Sequence, residues 1–141
     1  MLFGHRIEPM TDLYLIEAME DVRFVGEKPQ DMGMVLGFDR PWEKEGSLGL
    51  TVFEDQGTVK MYYRGFPTMD SDGDLSHMQA ACLATSPDGI HFTRFPVNRF
   101  SYDGITENNI VNMGAFCHNF AGFLDRNPLC PPQERYKAIG G

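Results

Sequence analysis

The chain has 141 residues, 42% of them hydrophobic, and a net charge of −8 at pH 7, enough for one domain with a buried core. No run approaches the roughly 18 consecutive apolar residues of a membrane-spanning helix, and the start MLFGHRIEPM lacks the basic-then-apolar order of a signal peptide. The acidic balance argues against a nucleic-acid partner, which would need a basic face.

In chain order, TDLYLIEAMEDVRF (11 to 24) is the first patterned stretch. Its apolar spacing suits a helix capped by Thr11 or Asp12, yet LYLI would serve equally as a strand, and both readings stay open. LGLTVFED (48 to 55) and TVKMYYRG (58 to 65) alternate with period two around Gln56-Gly57, which predicts a hairpin. After a polar loop, MQAACLATS (78 to 86) turns through Pro87-Asp88-Gly89 into IHFTRF (90 to 95). Proline presets φ for a type I turn and an aspartate there bonds its own turn backbone. Residues 48 to 95 therefore read as four consecutive antiparallel strands.

Residues 98 to 117 read as a long loop carrying a short strand at NNIVNM. The pattern then restarts with FAGFLD (120 to 125) and RYKAIGG (135 to 141). Phe53-Glu54-Asp55 and Phe123-Leu124-Asp125 lie 70 residues apart (125 − 55), each followed by a turn and a strand that carries lysine and ends in glycine. That spacing exceeds the roughly 40 to 50 residues of a compact propeller blade, the loop after residue 96 supplying the excess. A meander that restarts is the pattern of β-propeller blades. The expected fold is all-β, a partial propeller of about two blades in one domain. It comprises an N-terminal segment (1–37), a first blade (38–97), and a loop with the start of a second blade (98–141), where the chain looks truncated.

No metal or cofactor is expected. Cys82, Cys117 and Cys130 are odd in number and lack CxxC spacing, which speaks against zinc and favours buried free thiols over one disulfide. Asp70, Asp72 and Asp74 alternate as in a calcium loop, but Leu75 stands where its glycine belongs and Ala81 where its glutamate belongs.

The segments KPQDMGMVLGFDRPWEKEGS, TVFEDQGTVKMYYRG, ATSPDGIHFTR, ENNIV, HNFAGFLDRNP and PPQERYKAIGG, taken in order, resemble the start of proteins similar to family 32 and family 43 glycoside hydrolases. The resemblance runs from about Asp12 to Gly141. It implies a five-bladed β-propeller, a carbohydrate partner, and relatives that are often secreted or periplasmic. It also implies a site at one mouth of the central channel, built from loops before each first strand and between second and third strands. Asp55, Asp88 and Asp125 then fall at the opposite end, as turn residues.

Three stretches reach the implied mouth: 38 to 47, 64 to 77 and 117 to 120. Glycoside hydrolysis needs two carboxyl groups, about 5 Å apart for retention or roughly 6.5–9.5 Å for inversion. Glu43 is the expected first catalytic carboxylate, with Asp39 and then Glu45 behind it. Trp42 offers a flat platform for a sugar ring, while Arg64, His118 and Asn119 are the expected hydroxyl-binding side chains. Neither W-x-N-D-P-N-G nor R-D-P of the invertase branch occurs, and the second carboxylate would come from a later blade, so this chain alone is expected to be inactive. A carbohydrate-binding or structural module without catalysis is the alternative, and open strand edges favour homo-oligomers.

Overall fold

Small residues and period-two alternation decide the architecture. The computed structural model describes residues 12–14, 16–43, 48–66 and 79–141, which divide into two compact units, 1–31 and 32–141.

In the first unit the described residues form neither the helix nor the strand allowed by the sequence. Asp12 instead accepts a 2.9 Å hydrogen bond from the Tyr14 amide, closing a local turn that competes with both. Leu13, Tyr14, Val22 and Phe24 are exposed, so the apolar spacing finds no partner face within the unit. Thr11 and Leu15 lie outside the described residues.

The second unit is all-β. Strands β1 (Leu48–Asp55), β2 (Thr58–Gly65), β3 (Ala80–Ser86) and β4 (Thr93–Arg94) pair antiparallel in chain order. This is the expected meander, with the fourth strand cut from 90–95 to two residues. The β1–β2 turn has positive φ at Gln56 and Gly57, the twisted two-residue geometry that suits a hairpin. Ser86 and Asp88 fold the next corner: Ser86 Oγ accepts the Asp88 and Gly89 amides, and Asp88 Oδ1 accepts those of Ile90 and His91.

Strand β5 (Ile110–Met113) pairs with β3 on the edge that β4 leaves free, facing Ala80 to Cys82 while β4 faces Ala84 and Thr85. Buried on both faces, β3 is built from Ala80, Ala81, Cys82 and Ala84, side chains small enough for layers to close on either side. One layer holds Trp42, Met61, Tyr63, Cys82, Tyr102 and Ile110. The other holds Ala81, Cys117 and Phe120, with Tyr62, Val111 and Ala138 against them.

The second hairpin, β6 (Ala121–Leu124) with β7 (Tyr136–Ile139), forms where the restart in the sequence placed it. It packs on the Tyr62 face: Gly122 donates its amide to Thr51 Oγ1, and a Cβ on Gly122 would come within 2.8 Å of the Tyr62 ring. Asp55 departs from its expected role as a turn residue. It accepts hydrogen bonds from Arg135 and Tyr136 and so ties the end of β1 to the start of β7. Asp125 does serve its own hairpin, accepting from Lys137 and from the Asn127 amide.

Candidate functional site

Consecutive residues of β2 point to opposite faces, and at its C-terminal end Tyr63 and Arg64 open two separate polar clusters. The 3₁₀ turn Pro41–Glu43 abuts this end. It comes so close that a Cβ on Gly65 would collide with the Trp42 carbonyl oxygen.

On the Tyr63 face, Glu43 is completely buried. Its Oε1 accepts from Tyr63 Oη at 2.5 Å and Arg94 Nε at 2.9 Å; its Oε2 accepts from Arg94 Nη2 at 2.7 Å and the Arg40 amide at 3.1 Å. Both oxygens are saturated. Burial, before the nearby Cys82 and Glu43, pushes the Tyr63 hydroxyl well above its ordinary range, so it stays a donor. The hydrogen bonds that Arg94 donates to Glu43 likewise hold its guanidinium firmly protonated. Arg94 Nη2 also donates to Asp39 Oδ1 at 2.8 Å and to the Gly37 carbonyl. The Asp39 side chain is 73% exposed, so of the two carboxylates bonded to Arg94 it is the one open to solvent.

Trp42 is buried, its indole N–H donating to Asn109 Oδ1 at 2.9 Å. Asn109 in turn donates to Tyr63 Oη and the Leu83 carbonyl. Its neighbour Asn108 binds the Phe100 and Ile105 carbonyls and shapes the loop above. Arg40, Trp42, Arg94, Glu107 and Asn109 line part of a cleft of about 530 Å³. Trp42 is thus fixed at the cleft wall by a hydrogen bond, rather than lying free as an open platform.

On the opposite face Arg64 is 6% exposed. Its Nη1 donates to Gln79 Oε1 at 3.4 Å and to His118 Nδ1 at 3.2 Å, and Gln79 Nε2 lies 3.3 Å from the same ring nitrogen. His118 is exposed, and its carbonyl accepts the Gly141 amide. Gln79, Phe116, His118 and Gly141 line a second cavity of about 440 Å³. Asn119 is exposed with φ 51°, turning the chain into β6.

The expected residues therefore gather into two groups at one end of the sheet. Asp39, Trp42 and Glu43 lie on one side, Arg64 and His118 on the other. Glu43, the expected first catalytic carboxylate, occupies a buried ion-pair position with Arg94. Glu45, Ser47, Asp70, Asp72 and Asp74 lie outside the described residues. Among the described residues no group of three His, Cys, Asp or Glu side chains could hold a metal. Tyr63, Gln79, Arg94 and Asn109 were not singled out from the sequence. The ENNIV segment was the one signal that pointed near Asn109.

Comparison with protein-family models, with curated proteins and with solved structures found no match to this chain.

Proposed function

We propose that the chain is part of a β-propeller similar to family 32 and 43 glycoside hydrolases, and that the whole protein acts on the glycosidic bonds of an oligo- or polysaccharide. The observation that carries this reading is the convergence at one end of a four-stranded antiparallel meander. At that end the residues before β1 (Asp39 to Glu43) cluster on one face of the sheet, and the end of β2 (Arg64) meets the residues before β6 (His118) on the other. Further support comes from the second hairpin, which packs on one face of the first sheet as a neighbouring blade would.

In this reading Asp39 is the carboxylate that meets the sugar. Glu43 positions it through Arg94, which bonds both. Hydrolysis needs a second carboxyl group across the glycosidic oxygen, which a further blade would supply. The chain's own contribution is then binding, and the saturation of both Glu43 oxygens also favours the second reading, a carbohydrate-binding module without turnover.

Calorimetric titration of the chain against neutral and acidic glycans tests the carbohydrate reading, and failure to bind any of them ends it. Turnover by the longer protein, abolished by Asp39→Asn, would favour the hydrolase; binding without turnover would favour the module.

A further inference from the structure

Arg64 differs from the other buried or half-buried arginines of the second unit. Arg94 faces Glu43 and Asp39, and Arg135 faces Asp55. Among the described residues no carboxylate faces Arg64: its partners are Gln79 and His118, with the Phe66 ring 4.7 Å from its guanidinium carbon. Among the described residues its buried Nε finds no hydrogen-bond acceptor. An uncompensated buried cation is costly, and an anion brought beside it removes part of that cost.

The same cluster prepares a donor at the surface. Arg64 Nη1 can only donate, and Gln79, whose Oε1 accepts from Arg64, turns its amide nitrogen to the ring. His118 Nδ1 is therefore the acceptor in this cluster, which leaves Nε2 as the ring nitrogen that can donate outward. The exposed His118 lines the 440 Å³ cavity with Phe116, which is itself 46% exposed. That volume suits a small ligand, with an aromatic edge for a sugar ring, one fixed N–H, and a positive charge directly behind it.

We propose that Arg64, Gln79 and His118 form a receptor for the carboxylate of an acidic sugar. The ligand class of this cluster, on the face opposite Asp39, is then a uronate, an inference that rests on the carbohydrate reading above.

The test is calorimetric titration of the full chain at low ionic strength with glucuronate, galacturonate, glucose, galactose and acetate, repeated in 0.5 M salt. The expected result is that a uronate binds at least tenfold more tightly than its neutral counterpart and than acetate, and that salt weakens it. Arg64→Met and His118→Ala should each abolish that preference; His118, being exposed, supplies the folded variant if Arg64→Met does not fold. In 15N spectra the uronate should shift His118 Nε2 far more than Nδ1. Equal or tighter binding of the neutral sugars would overturn the uronate proposal while leaving the carbohydrate reading intact. Acetate binding as tightly as the uronates would overturn it as well, since no sugar is then recognised. Binding of none of the probes would overturn both.

Discussion

Tyr136 donates a 2.5 Å hydrogen bond to Asp55, 81 positions earlier in the chain, and Arg135 adds a 2.9 Å ion pair to the same carboxylate. This contact joins the first sheet to the second hairpin at the end away from both polar clusters. The hydrogen bond from Tyr136, and then the charge of Arg135, hold the Asp55 carboxyl below its ordinary value of 3.8. Asp125, bonded first by Lys137, is held at about 2.

Acid should therefore loosen the second hairpin first. Both carboxyls have folded values below their unfolded ones. The stability they contribute is complete above about pH 4 and is lost as pH falls toward about 2. Amide exchange followed by NMR should show β6 and β7 losing protection across that window before β2 and β3. Asp55→Asn should show reduced protection of the hairpin already at neutral pH and a smaller change on acidification. Uniform loss across all strands would contradict the picture.

Removing Glu43 should destabilise the fold strongly. Its carboxylate is fully buried and engages Tyr63, Arg94 and the Arg40 amide, so Glu43→Ala strands charged and polar partners and should cost about 3–5 kcal/mol in urea unfolding. Asp39→Asn, at an exposed position, should stay within about 0.5 kcal/mol of the parent. A tolerant Glu43→Ala would show that Arg94 needs no buried partner.

Gly65→Ala tests how tightly the turn at Pro41–Glu43 seats on β2. The added methyl meets the Trp42 carbonyl oxygen, a backbone atom with no rotamer to move. The substitution should cost about 1–3 kcal/mol, read in thermal unfolding, and perturb the Trp42 fluorescence. An unchanged spectrum and melting temperature would mean that the turn slides freely.

Thiol chemistry should divide the cysteines. Cys82 and Cys117 are buried and Cys130 is half-buried; all three are free. Burial raises the Cys82 and Cys117 thiols above their ordinary range, which removes the reactive thiolate. An Ellman titration should find slow reaction at Cys130 alone until denaturant is added. Rapid native labelling of two or three thiols would argue against the closed layers around β3.

The sheet was legible in the sequence because its signals are local. Alternation set β1 and β2, Gln56-Gly57 set their turn, Ser86 to Gly89 set the next corner, and the restart at Phe120 set the second hairpin. What escaped depended on partners far along the chain. Glu43 reads from the sequence as a catalytic carboxylate, and its burial is set by Arg94, 51 positions later, folding over it. Asp55 looks like a turn residue until Tyr136 arrives. The helix pattern near Asp12 failed for the opposite reason, since spacing alone supplies no surface to pack against. Arg64 and His118 were chosen for the hydrogen bonds their side chains can make, and the structure joins them; their separation from Glu43 required knowing which way each residue of β2 faces.

That parity makes β2 a double-sided switchboard in evolutionary terms. Inserting or deleting a single residue between Met61 and Tyr63 would reverse the inside-out phase of everything downstream in the strand. Tyr63 would be delivered to the cationic pocket, and the guanidinium of Arg64 to a carboxylate that already has Arg94. Point substitutions can retune either chemistry alone, whereas length changes in this stretch would erase both together.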